Sequence, residues 1–232
     1  MTAGRKDIQR ARMWKYFLDA ATEVIEEEGT KKVTIRKIAD RAGFTSSTAY
    51  NYFKDLSHLK FFAAMRFTTD YLNDLPSYMD KGSNRIEKWL YSWECFCKHS
   101  FEQPEIYSII FMDNLGTQPQ TLLDDYYKIY KDDIIGLPEQ IQSIIMEHSF
   151  SKRSALYIQS AVSEGFIKEE NIDLIAEMTL MIWKGMMNTF MNQRRDFTKE
   201  EAVRRTLFLI EECVMNVVEE ERRGEISFSP RI

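Results

Sequence analysis

Proline and glycine are scarce in this sequence, at 5 and 9 in 232 residues. So few turn-formers, with no sustained alternation of apolar and polar residues, exclude a β-rich reading and favour long helices. Three cysteines (Cys95, Cys97 and Cys213) are too few and of odd number for a disulfide framework, which points to a reducing cytoplasm. No run of about 18 apolar residues occurs, so no membrane-spanning helix is expected. The opening "MTAGRKDIQRAR" lacks the apolar centre of a secretion signal. Glycine-rich phosphate loops, paired carboxylates and a nucleophile beside a base are also missing, so an enzyme is not expected.

What is present is a globular composition, 44% hydrophobic and 29% charged. The net charge of -5 is unevenly spread. Residues 1–60 hold 12 Lys and Arg against 8 Asp and Glu, whereas the remainder holds 19 against 28. A basic end on an acidic body suits a chain that meets a polyanion at one end only.

Trp14, Phe17, Leu18, Ala21, Val24 and Ile25 fall on one stripe of an amphipathic helix that Gly29 ends. Thr34 is placed to cap a second helix, with Ile35, Ile38, Ala39 and Ala42 as its apolar face. Gly43 supplies a tight turn, and Thr45 caps a third helix of about two turns. Asp55 is placed to cap a fourth helix carrying Leu59, Phe62, Ala63 and Phe67. Short helices on either side of a Gly turn make a helix-turn-helix. The third helix turns Ala49 and Phe53 inward, leaving Ser46, Ser47, Thr48, Tyr50, Asn51 and Tyr52 largely outward. Hydroxyl, amide and phenol groups of that length suit a helix in the major groove, reaching base edges and phosphates without blocking approach. The competing reading is an ordinary capped helix with a solvated Ser/Thr face.

The segment "VTIRKIADRAGFTSSTAYNYFKD" resembles the DNA-binding segment of the tetracycline-repressor (TetR) family of bacterial transcription regulators. The resemblance covers roughly residues 10–60; beyond them only length and helical layout agree. It implies an all-α chain, with a helix-turn-helix domain over 1–55 (an N-terminal arm at 1–9) and an effector-binding and dimerisation domain over 56–232. Residues 56–75 would be the connecting helix. It further implies that Arg36 reaches a base from the second helix, that Ser46 and Ser47 begin the base-facing helix, and that Thr48, Tyr50 and Tyr52 meet phosphates. The family usually has a lysine at the start of the fourth helix, where this chain has Leu56. Lys54, His58 or Lys60 would stand in for it. Arg5, Lys6, Arg10 and Arg12 would serve an arm against the DNA or a solubilising tail.

The rest of the chain is also helical in pattern. Ile86, Trp89, Leu90, Trp93, Phe96 and Cys97 form a stripe after a cap at Ser83 or Asn84. Pro104, Pro119 and Pro138 mark further starts, and a helix through Leu156 to Val162 ends near Gly165. Two helices follow, the second opened by a capping box of Thr198 and Glu201. Their apolar residues extend beyond one narrow stripe, which suits burial on two sides. Ile182, Phe190, Leu207, Ile210, Val214 and Val217 are the expected dimer contacts, in keeping with the family's four-helix dimer. Trp89, Trp93, Phe96, Phe111, Met112, Trp183, Met186 and Met187 are bulky and adaptable enough to line an effector pocket, although core packing explains any one of them. A hydrophobic or aromatic effector fits them better than a sugar or a metal.

Cys95, Cys97 and His99 form a C-x-C-x-H run, but on a helix Cys97 lies about 200° round from Cys95, so a shared metal is not expected. Glu94 and His99 share a stretch with no nucleophile beside them, and His148 stands alone. The expected protein is a cytoplasmic, homodimeric, sequence-specific DNA-binding regulator without cofactor. The resemblance favours a repressor released from a palindromic operator by a small effector. The alternatives are an activator of the same family, or a helical ligand-binding module that has lost DNA binding, which Leu56 would favour.

Overall fold

The computed structural model describes residues 5–113 and 150–231, and every regular element among them is helical. The described residues form two compact units: residues 5–69 with 105–113, and residues 70–104 with 150–231. The expected start at Pro119 and that at Pro138 lie outside the described residues, as does His148.

The first unit opens with α1 (Arg5–Glu28), so the segment expected as an arm is helical from Arg5 onward. Gly29 follows at φ 82°, its N–H donating to Ile25 C=O at 2.9 Å, and a 3-10 turn over Thr30–Lys32 leads into α2 (Ile35–Ala42). Helix α3 (Ser46–Tyr50) and α4 (Leu56–Arg66) complete the N-terminal set, and α7 (Pro104–Phe111) belongs to the same unit. The core is aromatic. Trp14 lies 4.9 Å from Phe53 and 4.6 Å from Phe62, and Phe17 meets Phe44 at 5.5 Å and Phe53 at 6.0 Å. The expected division at residue 55 therefore parts elements that pack together, since α4 lies on α1 and Arg66 pairs with Asp19 at 2.6 Å.

The expected connecting helix over 56–75 is two helices. α4 stops at Arg66 and α5 (Thr69–Met79) starts after a break at Phe67 and Thr68. The Thr68 hydroxyl donates to Met65 C=O at 2.7 Å and that of Thr69 to Arg66 C=O at 2.9 Å, so two threonines bond back to the last carbonyls of α4.

In the second unit α6 (Arg85–Glu102) starts at the Asn84 cap and is buried almost all round from Ile86 to Cys97. It packs on α8 (Phe150–Ser163) and α10 (Lys199–Met215), and α9 (Ile172–Met191) packs on the same two helices. Both halves of the Thr198–Glu201 capping box are present at the start of α10. Beyond a 3-10 segment over Glu220–Glu225, the chain runs along α6: Asn84 donates to Glu225 C=O, and Phe228 stacks edge-on to Tyr91 at 5.0 Å. Among the described residues no helix is long and apolar enough to cross a membrane.

Candidate nucleic-acid interface

The α2–α3 corner is built by local chemistry. The Thr34 hydroxyl accepts from Lys37 N–H at 3.2 Å and starts α2. Gly43 ends it in the left-handed region, at φ 77°, where a side chain would cost strain. Phe44 N–H returns to Ala39 C=O at 2.9 Å, which completes the turn. Thr45 then caps α3 by accepting from Thr48 N–H at 3.3 Å, and the two hydroxyls lie 3.1 Å apart. Asp55 caps α4 through His58 N–H at 3.0 Å.

Helix α3 has five residues and one buried side chain, Ala49. Phe53, just beyond its end, anchors it to Trp14 and Phe17. With so small an inward face, the rest of the helix is surface. Thr45, Ser47, Tyr50, Asn51 and Lys54 are exposed, while Ser46, Thr48, Tyr52 and Lys60 are half-buried. The Tyr52 ring leans on Phe17 at 6.2 Å, which fixes the direction of its phenol.

The three cations of α2 divide by role. Lys37 pairs with Glu28 at 2.5 Å, and Arg41 holds Glu27 at 2.6 Å and Glu23 at 3.3 Å. These pairs clamp α2 to α1. The hydrogen bond from Arg41 holds the Glu27 carboxyl below its usual range, and that from Lys37 does the same for Glu28. Arg36 faces water, with 88% of its side chain exposed and only a long, exposed contact of 3.8 Å to Asp40. Such a pair holds little and leaves the guanidinium available. Leu56, the first residue of α4, is half-buried and carries no charge. Of the three expected substitutes for a lysine there, His58 is buried and does not present itself to a ligand, while Lys54 and Lys60 reach the surface.

Residues 17–59 match the family model described as bacterial regulatory proteins, tetR family. Over those residues the chain carries the DNA-binding domain of TetR-family transcriptional regulators. That match supports a DNA-binding transcriptional regulator. Solved TetR-family structures share its fold over most of their length. FadR of Thermus thermophilus, a TetR-family repressor solved with lauroyl-CoA, gives a TM-score of 0.60 at 11% identity, over 86% of this chain and 94% of its own. RolR in complex with resorcinol gives 0.60 at 17% identity, over 97% of each chain. No curated protein matches the chain in sequence.

The residues expected to line an effector pocket fall into both units of this chain. Trp89, Trp93, Phe96, Trp183 and Met187 are buried in the second unit, and Met186 is half-buried there. Phe96 meets Trp183 at 5.0 Å, Trp93 at 5.6 Å, and the Trp183 indole donates to the Ser100 hydroxyl at 3.0 Å. Phe111 and Met112, half-buried at the end of α7, belong to the first unit.

The expected dimer contacts divide differently. Leu207, Ile210 and Val214 are 1%, 0% and 0% exposed, so they fill the chain's own core and offer no surface to a partner. Ile182, Phe190 and Val217 are half-buried. On these two helices the exposed large apolar side chains are instead Leu174, Met178, Met181 and Met191 of α9 and Phe208 of α10, none of which the apolar stripes singled out. Phe208 was hidden because it sits between two core positions and not on their stripe.

The remaining chemistry candidates are dispersed. His99 pairs with Asp74 at 3.0 Å, whereas Glu94 faces Lys81, Lys98 and the Arg231 N–H, so Glu94 and His99 do not form an acid–base pair. Burial pushes the Cys95 and Cys97 thiols well above their ordinary range, which keeps them protonated and inert.

Proposed function

We propose that this regulator is a homodimeric repressor that binds a two-fold-symmetric operator in the cytoplasm through α2 and α3, and leaves it when a small apolar or aromatic effector binds. The observation that carries the DNA-reading part is the α2–α3 corner itself. One arginine, Arg36, only loosely paired with Asp40 and 88% exposed, stands beside the short helix and its end, where Ser46, Ser47, Thr48, Tyr50, Asn51 and Tyr52 are exposed or half-buried. Arg36, Ser46 and Ser47 read bases; Thr48, Tyr50, Tyr52 and the flanking Lys54 and Lys60 hold phosphates. Thr45 caps the reading helix and Asn51 lies at its far end.

Dimerisation uses the face bearing Leu174, Met178 and Met181, which recur at i, i+4 and i+7 on α9, together with Phe208 on α10. These four large apolar side chains, exposed on two adjacent helices, support a partner surface there. A second copy of the chain supplies the same face by two-fold symmetry, which in turn matches a palindromic site. For the effector, the aromatic cluster of Trp93, Phe96 and Trp183 supports a flat or apolar ligand. FadR with lauroyl-CoA and RolR with resorcinol support the same class. The FadR precedent also favours repression.

Selection from a pool of random duplexes tests the proposal. The expected product is a palindromic sequence bound by two chains. Enrichment of no sequence, or of an asymmetric one bound by a single chain, would overturn it.

A further inference from the structure

Helix α6 ends at Glu102, and the chain turns through Gln103 into α7 at Pro104. The next residue, Glu105, reaches a place 75 residues earlier in the sequence. Its Oε2 accepts from the Thr30 hydroxyl at 2.5 Å, and its Oε1 lies 3.1 Å from Lys31 Nζ. Thr30 is 7% exposed, so this polar contact is made at the margin of the core and not in open water. Both hydrogen bonds favour the ionised carboxylate and hold it below its ordinary range.

Thr30 and Lys31 belong to the six-residue joint, residues 29–34, between α1 and α2. That joint sets the direction in which α2 leaves. Gly29 turns the chain at positive φ, Val33 is buried, and Thr34 caps α2. On the other side α2 is clamped by Lys37 to Glu28 and by Arg41 to Glu27. The α1–α2 ion pairs do not touch the joint itself; beside its backbone bonds and the Thr34 cap, Glu105 holds it through Thr30 and Lys31.

We propose that Glu105 is a positioning residue for DNA binding: by holding Thr30 and Lys31 it sets the α1–α2 joint, and so the aim of Arg36 and α3, and it makes α7 sensitive to whether DNA is bound. The inference rests on the reading of α2 and α3 as the DNA-contacting surface. Its regulatory consequence follows from the chain path. Along the chain α7 follows α6, the helix that carries Trp89, Trp93 and Phe96, with only Gln103 between them, so the path from that helix to Glu105 is short in sequence. Coupling of this kind is reciprocal, because whatever α7 does to the affinity for DNA, DNA must do to α7. The reciprocity makes the test possible with DNA alone.

The experiment measures amide hydrogen exchange with and without a duplex selected from random sequence, in the wild type and in Glu105→Ala, Glu105→Gln and Thr30→Val. DNA should slow exchange in α3 and also in residues 104–111 of the wild type. Glu105→Ala should lose the slowing in α7 and keep it in α3, while its affinity for the selected duplex falls by about fivefold, the low end of ordinary coupling between sites. Glu105→Gln keeps an acceptor for the Thr30 hydroxyl and should restore most of the protection. Thr30→Val together with Glu105→Ala should cost no more affinity than either change alone. Lys31 is exposed and Glu105 only half-buried, so Glu105→Ala carries the test even where the buried Thr30→Val fails to fold. Protection of α3 without protection of α7 in the wild type would overturn the proposal and leave the DNA-reading surface standing. Protection of neither would overturn both.

Discussion

Arg41 closes on Glu27 with both outer guanidinium nitrogens, Nη1 to Oε1 at 2.9 Å and Nη2 to Oε2 at 2.6 Å. The fork joins α2 to α1 and raises the affinity of Arg41 for its proton, so its charge is spent on the scaffold. Arg41→Gln should therefore lower the melting temperature and weaken binding to selected and scrambled duplexes alike. Because Arg41 does not face phosphates, the dependence of binding on salt should stay as it is. Titrations at three or more salt concentrations check this. A clear fall in the salt slope would place Arg41 on the DNA.

Tyr52 separates gripping from reading. Its ring is fixed against Phe17, so Tyr52→Phe removes one hydroxyl and moves little else. Affinity for both duplexes should drop by a similar factor, with base preference and salt slope kept, since phosphate contacts carry no direct sequence information. Loss of discrimination in this variant would move Tyr52 to the bases.

Neighbouring residues on α10 separate the core from the partner face. Leu207→Lys buries an unpaired charge where 1% of the side chain is exposed, and should cost about 3 kcal/mol or more of stability. Phe208→Lys changes a side chain that is 46% exposed and should leave each chain folded while shifting sedimentation from dimer to monomer. An unaltered dimer in Phe208→Lys would remove α10 from the interface.

Much of the first unit is legible in the sequence because its signals are local. Thr34, Thr45 and Asp55 each cap a helix through a backbone N–H three residues on, a reach that the sequence displays directly. The break at Phe67 and Thr68 is not legible, since it depends on two threonine hydroxyls turning back onto α4 and not on a glycine or proline. Periodicity showed that α10 buries Leu207, Ile210 and Val214, but not against which surface. It assigned to a partner what the chain itself covers. The contact of Glu105 with Thr30, and those of Glu87 and Glu94 with Ser227 and Arg231, join residues 75 to 140 apart, and no local pattern announces them.

Those last two glutamates give a stability prediction. Glu94 is fully buried, and its carboxylate accepts from Arg231 N–H at 3.1 Å and pairs with Lys98 at 3.1 Å. Two turns earlier Glu87 accepts from Ser227 N–H at 2.6 Å. The segment 225–231 therefore covers α6 by satisfying two buried acids. Glu94→Leu leaves a backbone N–H and two lysines without their acceptor, and should cost about 1–3 kcal/mol in chemical denaturation. Residues 226–231 should also become more open to proteases. Unchanged stability and protection would show that the segment is held elsewhere.

The Glu105 carboxyl sets a pH dependence with a definite sign. Its value in the folded chain lies below the ordinary 4.5, so its contribution is complete above that value and is lost as pH falls through the lowered one. The melting-temperature difference between wild type and Glu105→Ala should be constant from about pH 7 to 5.5 and shrink below about pH 4.5. A difference that persists unchanged into acid would show that the carboxylate charge is not what holds Thr30 and Lys31.

The central claim is that Arg36 and the short α3 helix read sequence. It is tested most directly by titrating wild type and Arg36→Ala against a selected duplex and its scrambled counterpart across a range of salt. Arg36→Ala should lose about 1–3 kcal/mol of discrimination between the two duplexes and lower the salt slope by roughly one phosphate equivalent, at an unchanged melting temperature. Equal discrimination in the two proteins, with the same salt slope, would contradict the account.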